Sequence, residues 1–153
     1  MLLKKAAAAV AAASVALGLS LATAPPAAAA SGQLVRYGNT NPITSSSSTW
    51  RCGGSEAIAT NMVAQVCAVR SANGTGVQAA VILRNNASYS RSVNVSVNLL
   101  NRTDGTVGNW TCDSAGVSSN SWSVCFGRTL SRTSDHSAWG FANGTDLGSS
   151  PFV

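Results

Sequence analysis

Beyond Lys5 the chain contains no lysine, and charge of either sign is scarce: 10% of its 153 residues are Asp, Glu, Lys or Arg. The eight arginines stand singly between Arg36 and Arg132, so no basic run or Arg–aromatic cluster offers a phosphate backbone a footprint. A nucleic-acid partner is therefore not expected. One histidine, His136, and no Cys-x-x-Cys leave no metal ligand set, and no cofactor motif appears. A Gly-x-Ser-x-Gly elbow, a Gly-rich phosphate loop and an EF-hand loop are all missing. The five acids, Glu56, Asp104, Asp113, Asp135 and Asp146, fall mostly in turns and form no carboxylate pair of recognisable spacing. Asp135-His136 beside several serines suggests a triad. Neighbours on a polar loop point apart, however, so His136 is expected at the surface and no catalytic residue is assigned.

What is present begins with an export signal. Lys4-Lys5, an Ala/Val/Leu run and Ala27-Ala28-Ala29-Ala30 after Pro25-Pro26 give a basic start, an apolar middle and a small-residue exit. Residues 1–30 are thus expected to be a signal peptide cleaved after Ala30. The remaining 123 residues would carry eight arginines against five acids, a balance of +3, with no further membrane span. Residues 31–49, ending Thr44-Ser45-Ser46-Ser47-Ser48-Thr49, are polar and repetitive and read as a flexible arm. The folded domain is expected over residues 50–153.

Four cysteines in a short exported chain point to two disulfides. Short loops close easily, which favours Cys52–Cys67 and Cys112–Cys125; a bridge between sheets such as Cys67–Cys125 is the alternative.

From Cys52 onward the pattern is strand and turn. Asn73-Gly74 separates two β-rich runs and predicts a hairpin. In the second run Val77, Ala79, Val81 and Leu83 lie on one face and Ala80 and Ile82 on the other, which predicts a strand covered on both sides. Val93, Val95, Val97 and Leu99 alternate with Ser92, Asn94, Ser96 and Asn98, a strand with one side in water. Further strands are expected over residues 106–112, 121–126 and 137–142, with a Ser/Gly/Asn loop at 113–120. Residues 55–66 fit either a short helix or a strand. Short strands at turn spacing, without a long amphipathic helix, predict an all-β fold: an antiparallel immunoglobulin-like β-sandwich stapled by two disulfides, or else a small open β-barrel.

Four of the nine aromatic residues are tryptophans: Trp50, Trp110, Trp122 and Trp139. An exposed Trp face stacks on sugar rings, whereas a buried one fills a core. Trp122 shares its face with Val124 and Phe126 and is expected in the core. Trp110 shares a face with Cys112, where it would cover a disulfide. Trp139 and Trp110 are the candidate ligand-binding residues.

Cys67-Ala-Val-Arg70, the run 77–85 ending Leu-Arg-Asn, Trp122-Ser-Val-Cys125-Phe126-Gly127 and Trp139-Gly-Phe resemble segments of small exported proteins of actinobacteria, families without an assigned activity. The resemblance implies secretion and paired cysteines and carries no catalytic residue. In a bacterial setting the six Asn-x-Ser/Thr triplets, at Asn73, Asn86, Asn94, Asn101, Asn109 and Asn143, are products of a Ser/Thr/Asn-rich surface rather than glycosylation sites. The expected role is a secreted, non-enzymatic binding or cell-envelope-associated domain. Its partner would be a cell-wall or polysaccharide surface or an extracellular protein. The alternatives are a secreted protease inhibitor, with residues 113–120 as its loop, and a small carbohydrate-binding module.

Overall fold

A computed structural model of the chain describes residues 28–103 and 105–153. All but the last three residues of the expected signal peptide, and Asp104, lie outside the described residues. The described chain forms eleven strands: β1 (Ala30–Ser31), β2 (Gln33–Gly38), β3 (Thr49–Ala59), β4 (Met62–Arg70), β5 (Gly76–Asn85), β6 (Arg91–Asn101), β7 (Gly105–Val117), β8 (Ser121–Phe126), β9 (Leu130–Ser131), β10 (His136–Ala142) and β11 (Thr145–Ser149). They build two sheets, one in the order β1-β7-β6-β10-β11 and one in the order β2-β8-β5-β4-β3, with β9 against β5. Every pairing is antiparallel except the two-residue contact of β1 with β7. The fold is the expected all-β sandwich with both expected disulfides, not a closed barrel.

The core between the sheets is built from small branched side chains at every second position. Val93, Val95, Val97 and Leu99 of β6 meet Ala64, Val66, Ala68, Val77, Ala79, Val81 and Leu83 of β4 and β5. Period-two alternation turns those residues to one side of each strand, and burial of that side drives the two sheets together. Close approach is needed where β10 crosses: a Cβ on Gly140 would lie 3.1 Å from Val81 Cγ2 and 3.2 Å from Val66 Cγ2.

A second apolar layer lies on the outer face of the six-stranded sheet. Cys67, Val69, Ala80, Ile82 and Val124 are covered there by Tyr37, Ile43, Trp50, Trp122 and Phe126. Trp122, Val124 and Phe126 do share a face, but it is this outer one rather than the sandwich core. Trp50 packs edge-on against Phe126, ring centroids 5.8 Å apart. Burial pushes the Tyr37 phenol above its ordinary pKa.

Two expectations need correction, and one that the sequence leaves open is decided. Residues 31–49 are not a free arm: Gln33–Gly38 is an edge strand paired with β8, and the stretch after it contributes Ile43 to the outer layer. The polar side chains that suggested disorder face solvent, while backbone hydrogen bonds hold the strand. Residues 113–117 are not loop but the end of β7, with Ala115 and Val117 buried, and only residues 118–120 turn. Residues 55–66, ambiguous in sequence, are the end of β3, a turn at Thr60-Asn61 and the start of β4; Asn61 takes the left-handed φ of 59° that Asn tolerates.

The disulfides do different work. Cys52 and Cys67 face each other across the β3–β4 pair. Cys112 and Cys125 join β7 to β8, and so join the two sheets. The chain changes sheets between β1 and β2 at Gly32, directly over that bridge. A Cβ there would lie 2.9 Å from Cys112 Sγ and 3.2 Å from Cys125 Sγ.

Ser123 faces the same interior, fully buried, and its hydroxyl has no hydrogen-bond partner. An unpaired buried hydroxyl costs about 1–3 kcal/mol. Ser123→Ala is therefore expected to stabilise the protein by about 1 kcal/mol, read as a rise in thermal midpoint. A fall of that size would show that the hydroxyl is bonded.

Candidate functional site

The outer face of the five-stranded sheet has no covering layer of its own chain among the described residues. Its composition follows from the alternation that builds the core: wherever β6, β7 and β10 turn an apolar residue inward, the next residue turns outward. Register aligns these outward residues in two rows across the strands. One row runs Ser149, Trp139, Asn98, Asn109 and the other Asp146, Phe141, Ser96, Thr111.

Trp139 is 37% exposed, and its orientation is set. Its Nε1–H donates to Asp146 Oδ1 at 2.8 Å, and the same oxygen accepts the Gly148 N–H at 2.8 Å. The β10–β11 hairpin that brings Asp146 back turns at Asn143-Gly144, both at positive φ (48° and 78°). Phe141 stands beside Trp139, centroids 5.0 Å apart and planes tilted by 59°. Next to the rings, Asn109 Nδ2 donates to Asn98 Oδ1 at 2.5 Å. Two fixed rings bordered by amide and hydroxyl groups can stack on a sugar ring and hydrogen-bond its hydroxyls.

Of the two tryptophans read as ligand contacts, only Trp139 is presented. Trp110 is 5% exposed and belongs to the core. Its ring lies close against two glycines: a Cβ on Gly108 would fall 2.0 Å from its Cη2, and one on Gly127 2.5 Å from its Cε3. It contributes an edge to two open clefts of about 460 and 450 Å³, and no stacking face.

His136 is also not where it was expected. It is 1% exposed at the start of β10, its Nδ1 is 2.8 Å from Ser134 O, and its backbone exchanges hydrogen bonds with Val153. Pairing of the C-terminal residues with β10 buries it. Asp135 points away, to Arg102 at 3.3 Å, so the adjacent pair forms no dyad. Of four open clefts of 360–460 Å³, only one is lined by a carboxylate, that of Asp113. Among the described residues no three His, Cys, Asp or Glu side chains are grouped as metal ligands.

Phe141, Asn98, Asn109 and Asp146 are not among the ligand contacts expected from the sequence. The Trp139-x-Phe141 spacing carries a signal, since residues two apart on a strand share a face. Nothing in the sequence shows that β10 lies beside β6.

No family model matches the chain, and no curated protein matches it. Among solved structures it is similar to a Pseudomonas fluorescens alkylpurine DNA glycosylase, AlkC, bound to DNA containing an abasic site analog. The TM-score is 0.33 at 15% identity, over 50% of this chain and 24% of that one, so the match spans about a quarter of that protein's length. A likeness at that level carries no argument about activity.

Proposed function

We propose that the protein is a secreted, non-enzymatic binding domain that engages polysaccharide through the outer face of its five-stranded sheet. The observation that carries this reading is Trp139, held open by Asp146 and flanked by Phe141 on a sheet face that the described residues leave uncovered. The opposite outer face offers a contrast: its aromatics Trp50, Trp122 and Phe126 are half-buried and, with Tyr37 and Ile43, cover an apolar layer of Cys67, Val69, Ala80, Ile82 and Val124. Two disulfides suit an oxidising compartment, and among the described residues no helix is long and apolar enough to cross a membrane. The inhibitor reading loses support because residues 113–117 are strand and no clamped loop projects there.

The test is retention on a panel of cell-wall and plant polysaccharides, by pull-down for insoluble materials and affinity electrophoresis for soluble ones. Trp139→Ala is expected to weaken retention at least tenfold, about 1.4 kcal/mol. Its thermal midpoint should change little, because the ring is a surface group. Equal retention of the variant and the parent, or no retention of either, would overturn the proposal.

A further inference from the structure

We infer that the ligand of this face is a single neutral glycan chain lying across the strands, from Trp139 over Asn98 to Asn109. The inference rests on the polysaccharide reading above and adds the chemistry and direction of the ligand.

Direction comes from the register. Trp139, Asn98 and Asn109 are partners on three neighbouring strands, so they form a line perpendicular to the strands. Neighbouring strands lie about 4.8 Å apart, which makes that line roughly 10 Å long. Past Asn109 it reaches the β7 edge, bordered by Thr106, Gly108 and Leu130. A track of that length takes a short run of sugar rings.

Chemistry comes from the amides. The Asn98–Asn109 hydrogen bond uses one NH₂ and one carbonyl. Whichever way the two amides are assigned, the pair keeps one free NH₂ and one free carbonyl side by side. A sugar hydroxyl both donates and accepts, and matches that pair. The mutual bond also holds both side chains in place, which lowers the entropy lost on binding.

Charge selects against anionic chains. In the two rows Asp146 is the only charged side chain, and no arginine lies among them. Arg84, Arg91 and Arg102 stack on Trp122, Tyr89 and Phe152 elsewhere. Arg128 borders the cleft beyond Asn109, not the rings. A uronate or sulfated chain over Trp139 would meet a carboxylate without a cation to offset it. The 59° tilt between Trp139 and Phe141 also prevents both rings from lying on one flat crystalline surface. A lone chain can rotate from one sugar to the next and follow that tilt.

The experiment is calorimetric titration of the intact protein with neutral glucan, mannan and xylan oligosaccharides of increasing length, beside polygalacturonate and microcrystalline cellulose. Affinity for one neutral series should rise over the first few rings and then level off, with little response to salt. Asn109→Ala, and Asn109→Ser as a milder variant, should weaken binding of the long oligomers about three- to tenfold, the size of one lost hydrogen bond. Their melting points should stay near that of the parent. Trp139-dependent binding confined to crystalline cellulose, or salt-sensitive preference for polygalacturonate, would overturn this inference and leave the polysaccharide reading standing. Unchanged affinity in both Asn109 variants would overturn the track alone. No Trp139-dependent binding to any of these ligands would overturn both.

Discussion

Trp110→Ala is expected to lower the unfolding free energy by about 3–5 kcal/mol, the range for emptying a buried aromatic site. The ring is 5% exposed on the inner face of β7, opposite Val97 of β6. Gly108 and Gly127 lie close against it. Glycines have no side chains to move into the space, so the site collapses poorly and the cavity term stays large. Urea unfolding of the parent and the variant measures the effect, and the midpoint should fall by about 1–3 M for a domain of this size. Adding a methyl group beside the ring should act in the same direction: Gly108→Ala places a Cβ 2.0 Å from it, and the ring then has to leave its position. A Trp110→Ala protein within 1 kcal/mol of the parent would show that the ring is not a packing element. Loss of ligand binding without loss of stability would return Trp110 to the ligand face.

Removing the inter-sheet bridge is the second large effect. The two disulfides close loops of similar size, with sequence separations of 13 and 15, so unfolded-chain entropy predicts about 3 kcal/mol for each. The native structure separates them. Cys52 and Cys67 sit on strands already joined by backbone hydrogen bonds in a hairpin. Cys112 and Cys125 sit on strands of different sheets, linked nearby only by the turn at residues 118–120, beneath a backbone crossing that leaves no room for a Cβ at Gly32. The double variant Cys112→Ala/Cys125→Ala is therefore expected to lose about 3 kcal/mol or more, a drop of roughly 10–15 °C in thermal midpoint. Cys52→Ala/Cys67→Ala should lose less. Equal losses would mean that chain entropy alone sets both, and a larger loss at Cys52–Cys67 would reverse the argument.

Much of the fold follows from local physics and was readable. The 93–99 alternation is β6, with its valines and Leu99 buried and its serines and asparagines turned outward. Residues 77–83, apolar on both sides, are covered on both faces, by the core and by the outer layer. Asn73-Gly74 turns the chain as expected, with Gly74 at φ 75° and Asn73 Oδ1 accepting from Thr75. Loop length favoured the cysteine pairs that form. Each of these rests on residues within about fifteen positions of one another, where period and loop closure act directly.

Edge strands were harder to read. Residues 33–38 and 113–117 are held by backbone hydrogen bonds to partners far along the chain, and their polar composition resembles that of loops. His136 looked exposed because burial by the C-terminal residues is a contact, not a property of its neighbours in sequence.

The sequence by itself determined the strand class and most of the core faces, and favoured the disulfides that form. The tertiary structure alone decided which tryptophan is presented and what surrounds it. Trp110 and Trp139 are equivalent as sequence: each sits in a β-rich run beside small residues. Their opposite fates depend on which side of the five-stranded sheet each strand turns toward its partner sheet. The outer rows exist because β10 pairs with β6, about forty residues earlier, and hydrogen bonding between strands so distant is set by the packing of the whole sandwich.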